Sequence, residues 1–294
     1  MRVHHLNCGT MCPLGGHLMD GSTPGVGPSK LVCHCLLVET NEGLVLVDTG
    51  FGLQDVHHPH KRLSEFFLYF NNIKLREDTT ALRQIEMRGF RREDVRHIVL
   101  THLDFDHAGG LSDFPNAKVH LLKAEYQHAR KARTLKDVHR FRHSQWVRPR
   151  DWKTYETGGD KWFGFDAVRQ LEGLPPEILI VPLIGHTWGH SGIAVDTGQG
   201  WLFHAGDAYF FRDEMRFEDP HCTPGLRFYQ TMMEVDRSMR LSNQDRLRNL
   251  KRDHGDEVTI FSAHDHVELE RMADHPVLAW KPERQIDLGI HPAH

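Results

Sequence analysis

Two histidines and two aspartates fall within six residues, His102, Asp104, Asp106 and His107, directly after the apolar run His97-Ile98-Val99-Leu100. Imidazole nitrogens and carboxylate oxygens are ligands for divalent cations, so a strand ending in such a cluster predicts a metal site at the mouth of a sheet. In an extended chain residues 102, 104 and 106 point to one side, and 107 joins them where the chain turns. The following Ala108-Gly109-Gly110 permits the turn.

Three more polar signals each follow an apolar strand. Gly185–His190 (G-H-T-W-G-H) comes after Ile178–Leu183, His204–Ala208 (H-A-G-D-A) after Trp201–Phe203, and Ser262–His266 (S-A-H-D-H) after Val258–Phe261. Strand ends converge in space although they are far apart in sequence, which predicts one composite site. The residues divide into a two-metal set. His102, His186 and Asp104 face one ion, Asp106, His107 and His264 the other, and Asp207 bridges. Two ions about 3.5–4 Å apart share a hydroxide and lower its pKa, making a nucleophile at neutral pH, while one of them polarises a carbonyl. Zinc suits this donor set best, and iron, manganese or cobalt are compatible. No organic cofactor is required.

The elements that must hold these residues are short. Leu31–Val38 and Leu44–Val47 read as a hairpin ending in Asp48-Thr49-Gly50. A helix is expected over Thr79–Arg88, then strands over Val95–Leu100 and Ala117–Leu122. From Lys123 to Arg150 nine Lys/Arg, Arg140 among them, face only Glu125 and Asp137. This segment predicts a helix over Ala124–Leu135, and either a solvated face or a basic lid over the site. Strands over Glu177–Leu183, Ser191–Asp196, Trp201–His204 and Glu257–Phe261 follow, with helices over Leu241–Arg252 and Val267–Met272. The Trp280–His294 tail reads as irregular. Two sheets face to face with helices outside is the layer plan this order suggests.

Composition bounds the rest. The chain has 294 residues, a formal charge of −4 and 24 histidines, some plainly peripheral, such as His57-His58-Pro59-His60. It reads as one domain over 1–294 with a basic helical insert at about 123–155. The near-neutral charge gives no reason to expect nucleic acid, and no apolar run spans a bilayer. Five cysteines, an odd number and thinly spread, fit a reducing compartment and core packing, so cytoplasm is the default.

With Asp48-Thr49-Gly50, the 102–107 cluster, G-H-T-W-G-H, Ala205-Gly206-Asp207 and His264 in this order, the chain resembles the metallo-β-lactamase-fold hydrolases. That resemblance implies an α+β four-layer αββα sandwich. It implies His102, Asp106, His107, His186, Asp207 and His264 as ligands, Asp106 also orienting water, His190 as a structural support and Asp48 as a buried carboxylate beneath the site. Asp104 departs from the pattern, which places a second histidine there. Aspartate is shorter by about an imidazole ring, and a third carboxylate removes one positive charge from the centre, which leans it toward harder metals.

The opening Leu6–Met11, the insert and the H-A-G-G-L ending of the first motif resemble the N-acyl-homoserine lactonase branch. This implies a small-molecule lactone or carboxylic ester as substrate, opened by attack of a metal-bound hydroxide, and a homodimer. That branch places a substrate-contacting tyrosine three residues beyond the bridging aspartate. Here Phe210 stands there and Tyr209 one residue earlier, so Tyr209 is the candidate hydroxyl. Trp188, Phe210, Phe211 and Met215 are candidates for an acyl wall. A glyoxalase-II-like thioesterase, a phosphoesterase and a non-catalytic metal-binding protein are the alternatives.

Overall fold

The computed structural model describes residues 1–146 and 150–273. The first sheet has seven strands: β1 (Arg2–Met11), β2 (Leu31–Thr40), β3 (Gly43–Val47), β4 (Ile73–Lys74), β5 (Val95–Val99), β6 (Lys118–Leu122) and β7 (Trp152–Tyr155), ordered β4-β1-β2-β3-β5-β6-β7. The second has six: β8 (Asp160–Trp162), β9 (Phe165–Gln170), β10 (Ile178–Pro182), β11 (Ser191–Asp196), β12 (Trp201–His204) and β13 (Val258–Phe261), ordered β13-β12-β11-β10-β9-β8.

The helices are α1 (His17–Asp20), α2 (Leu53–His57), α3 (Pro59–Arg62), α4 (Glu65–Phe70), α5 (Ala81–Met87), α6 (Lys123–Lys131), α7 (Leu135–Arg140), α8 (His143–Trp146), α9 (Pro224–Met233), α10 (Arg237–His254) and α11 (His266–Met272).

Alternation along the strands builds four layers. Leu36, Val38, Val45, Val47 and Val99 of the first sheet meet Ile178, Ile180, Ile193 and Val195 of the second between the sheets. Their neighbours point outward: Cys35, Leu37, Leu46 and Ile98 pack with Leu82 and Ile85 of α5, and Leu179, Val181 and Ala194 pack with Leu247 and Leu250 of α10. A strand buried on both faces reads as a continuous apolar run, which is why β2 and β10 are so clear in the sequence. The architecture is the expected αββα sandwich. All five cysteines are unpaired and buried in these layers.

Several boundaries differ for local reasons. β1 had no sequence signal, because its histidines break the apolar pattern. Here His4 Nε2 lies 2.6 Å from Glu39 and His5 Nδ1 2.8 Å from His34, so cross-strand partners take up the polar groups. The helix expected over Ala124–Leu135 is two helices. Ala132 adopts a left-handed conformation (φ 30°), and a capping box then restarts the chain: Thr134 Oγ1 accepts from Asp137 N, and Asp137 accepts from Thr134 N. α10 begins four residues earlier than expected, where Asp236 caps Met239 N at 2.8 Å. The helix α9 was not anticipated. The 123–155 segment ends as β7, the edge strand of the first sheet, and the Trp280–His294 tail lies outside the described residues.

Candidate metal centre

The polar loops follow strands β3, β5, β10, β12 and β13. β3–β5 and β12–β13 are parallel pairs, so their following loops emerge at the same end of each sheet. The 102–107 segment is a tight turn rather than an extended run, closed by His107 N donating to Asp104 O at 3.0 Å. That turn, and not strand alternation, gathers His102, Asp104, Asp106 and His107. All four are buried.

Two groups of ligand atoms result: His102, Asp104, His186 and Asp207, then Asp106, His107 and His264. In the first, Asp104 Oδ2 lies 3.3 Å from His102 Nε2 and 3.0 Å from His186 Nε2, and Asp207 Oδ2 lies 3.7 and 3.3 Å from the same two nitrogens. Tetrahedral ligand bonds of about 2.0–2.1 Å require ligand atoms about 3.3 Å apart, so these separations fit one cation. In the second, Asp207 Oδ1 lies 3.2 Å from His107 Nε2 and 3.1 Å from His264 Nε2, with Asp106 Oδ2 3.7 Å from His264. Asp207 turns one oxygen to each group. His102 Nε2, His107 Nε2 and Asp207 Oδ1 are buried with no hydrogen-bond partner, the condition of atoms shaped to face a cation.

The surroundings fix which nitrogen faces inward. His107 Nδ1 lies 2.8 Å from Asp48 Oδ2, and His264 Nδ1 donates to Val32 O at 2.7 Å, which leaves each Nε2 lone pair free. Asp48 also accepts from Thr101 N and Oγ1 at 2.8 and 2.7 Å, and Thr101 Oγ1 is 2.9 Å from His102 Nδ1. Asp48 holds this position at φ 55°, a left-handed conformation that a non-glycine residue keeps only where its surroundings enforce it. His190 is a support, donating to Leu183 O and accepting from Asp207 N at 2.9 Å each. Gly206, at φ 56°, leaves room for it: a Cβ there would lie 2.6 Å from His190 Nε2.

Charge is unevenly distributed. Burial opposes ionisation of Asp207, yet His264, His107, His186 and His102 outweigh it and hold the carboxyl well below its ordinary range. Burial likewise opposes Asp104, where Arg140 and then His102 prevail in the same direction. Asp106 is pushed upward by burial, with His107 and His264 only partly offsetting it. Burial, and then Arg140 against partial opposition from Asp207, lowers His186 to about 4, so its ring is neutral at pH 7.

Three side chains that sequence reasoning passed over shape the site. Arg140, in the basic segment, is fully buried and forks onto Asp104. Glu125 of α6 accepts from Leu103 N, Thr187 Oγ1 and Gly189 N, tying two ligand loops together. Tyr229 of α9 packs edge-on to Phe210, which stacks on His264 at 4.9 Å. The Tyr229 hydroxyl accepts from Asn71 Nδ2 at 3.3 Å. Burial, and then the charges of Asp106, Asp104 and Asp207, raise its pKa well above the ordinary value, keeping the phenol neutral. Isolated from their loops, these residues carry no motif; only the surplus of arginines in 123–150 hinted at one of them.

Tyr209 is corrected. Its hydroxyl donates to Glu268 at 3.0 and 3.1 Å, and its ring is buried with Phe203, Leu247 and Met215 on the helix side of the second sheet. Met215 is thereby also removed from the expected acyl wall. Phe211 packs in another core beside Cys222 and Leu226, and Trp188 is nearly half exposed. Phe210 alone of those four lies against the ligand cluster.

The sequence profile of the metallo-beta-lactamase superfamily matches residues 29–258. A probable metallo-hydrolase of Mycobacterium tuberculosis is 40% identical over 267 residues, covering 90% of this chain and 80% of that protein. An N-acyl homoserine lactonase of Bacillus cereus is 28% identical over 217 residues, 71% of this chain and 78% of that one. Among solved structures, Bacillus thuringiensis AiiA with N-decanoyl-L-homoserine at its active site matches with a TM-score of 0.66 at 21% identity, over 92% of this chain and 95% of that one. No helix among the described residues is long and apolar enough to cross a membrane.

Proposed function

Because this chain belongs to the metallo-β-lactamase superfamily and is a metal-dependent hydrolase, we propose that it opens a lactone or carboxylic ester, with an N-acyl-homoserine-lactone-like compound as the substrate class. The observation that carries this reading is the aromatic wall against the ligand cluster: Phe210 stacked on His264, Tyr229 against Phe210, and Phe70 against Tyr229. An uncharged carbonyl compound with an apolar acyl group suits such a wall. The likeness to lactonases at 27–28% identity supports it.

His102, Asp104 and His186 hold one divalent cation in this reading, Asp106, His107 and His264 the other, and Asp207 both. Zinc suits the donors best. The ions, when bound, activate water and polarise the scissile carbonyl. The residues do the rest. Asp48 and Val32 O keep His107 and His264 oriented. Asp106, at the edge of the second position, takes a proton from the attacking water and returns it to the leaving alkoxide. The neutral Tyr229 phenol donates toward the substrate carbonyl, the task the sequence had pointed to at Tyr209. A homodimer and a cytoplasmic setting belong to the same proposal.

The thioesterase alternative relied on basic residues of the 130–150 segment to hold a glutathione carboxylate. Arg140 is occupied within the site instead. Turnover of an N-acyl homoserine lactone, a glutathione thioester and a phosphodiester under matched metal loading tests the proposal. Lactone opening is expected to dominate. Thioester hydrolysis with an inert lactone would overturn it.

A further inference from the structure

We propose that Arg140 is the counter-charge to Asp104 in the first cation position, and that it sets the affinity of that position below that of its neighbour. This rests on the reading of the two clusters as cation sites.

Arg140 Nε donates to Asp104 Oδ1 at 2.7 Å and Nη2 to Oδ2 at 2.6 Å, a two-pronged pair between side chains that are 0% and 2% exposed. Nη1 donates to Met233 O at 2.7 Å and approaches His186 O at 3.4 Å, and Nη2 lies 2.8 Å from His186 Nε2. Four of the five N–H groups of the guanidinium thus have carboxylate or carbonyl acceptors, and the fifth points at His186 Nε2, so it is fixed rather than free to hold substrate. The geometry is specific to arginine, whose planar fork matches a carboxylate edge.

Two consequences follow. Against a site with a neutral imidazole at position 104, the carboxylate removes one positive charge, and the guanidinium returns it. The Asp104–Arg140 pair is thus neutral as a unit, like the histidine it replaces. Second, Nη2 points at the same His186 nitrogen that faces the first position, so guanidinium and cation repel across it. Among the described residues the second position has no such neighbour: Asp106 lies within ion-pair range of His107 and His264. Arg140 arrives only because the chain breaks at Ala132 and restarts at Thr134.

Titration of the metal-free full-length protein with Co2+ against a competing chelator reads both affinities directly. The wild type is expected to take two ions in unequal steps. R140M should tighten the weaker step at least tenfold, because the uncompensated carboxylate remains. An unchanged or weakened step in R140M overturns the proposal, since a purely structural arginine would loosen the site when removed. R140K, which keeps the charge without the fork, and the neutral-for-neutral D104H/R140M should both stay within about threefold of wild type. D104H alone should lose at least tenfold. If R140M does not fold, R140K and D104H/R140M decide: a lost weak step in either overturns the proposal. A wild type that binds no second ion overturns both this inference and the two-site reading, whereas two ions with an insensitive R140M overturn this inference alone.

Discussion

Among the described residues buried imidazoles gather in several places, and two of these groups contrast in their fitness for a cation. His34, between the sheets, lies 2.8 Å from His5 and packs on Phe261 with ring centroids 4.6 Å apart, and His204 donates to its carbonyl at 2.6 Å. His102, His107, His186 and His264 are equally buried but interleave with Asp104, Asp106 and Asp207. The difference is in the charge around the rings. Burial, with His5 and His204 adding to it, pushes His34 well below its ordinary 6.5. Burial acts on His107 in the same direction, but Asp207, Asp48 and Asp106 outweigh it and raise His107 well above 6.5. Histidine count is therefore a poor guide to a metal site, and histidine among carboxylates is a good one.

The sharpest break of this contrast is at the shared carboxylate. D207A should remove both cations and lower kcat/KM by ~10³-fold or more, since both positions lose a ligand; H34F should leave metal content, read by elemental analysis, unchanged. A D207A protein that keeps two ions would dissolve the distinction between the groups.

Next in size is the buried pair. D104N leaves Arg140 charged without its partner and should destabilise the protein by about 3–5 kcal/mol in denaturant unfolding. No buried charge pair is broken by H34F, which should shift stability by less than about 1.5 kcal/mol.

D48N keeps the shape beneath the cluster but weakens control of the His107 ring. Metal affinity by chelator competition should fall about 10–100-fold with the fold intact. Unaltered affinity would mean that the ring needs no such support.

The smallest effect is in the pH dependence of stability, where His34 and His107 carry opposite signs. His34 is neutral when folded and takes a proton when unfolded, so it costs stability as pH falls below about 6.5, by about 1.4 kcal/mol per pH unit until its folded pKa is reached. H34F should flatten that acid limb. In the metal-free protein His107 stabilises fully below about 6.5, and the contribution is lost as pH rises through its raised folded pKa. Replacing His107 should therefore flatten the metal-free stability profile on the alkaline side, measured by denaturant midpoint against pH.

The sequence made the ligands legible because they sit in short polar loops after apolar strands, where composition changes abruptly. The strands between the two sheets were legible because both faces are buried. Arg140, Glu125 and Tyr229 were not, because each acts across 36 or more residues, 22 and 64 residues, or 158 residues, from helices whose own patterns show only polarity. Tyr209 failed for a related reason: neighbouring residues on a loop face opposite sides, and the loop conformation decides between them. β1 was hidden by histidines whose partners lie on the next strand.

The Glu125 contacts bear on how such a protein could be lengthened or diversified. A carboxylate that holds Leu103, Thr187 and Gly189 at once makes the start of the inserted segment part of the frame. The exposed stretch at Arg133-Thr134, between α6 and α7, has no such duty. Variation in loop length is best tolerated where backbone is exposed and carries few contacts. Extra residues spliced there would enlarge the rim of the site while its frame stayed put, provided that Thr134 and Asp137 still set the phase of α7. A frameshift of one residue in that helix would rotate Arg140 by about 100° and away from Asp104.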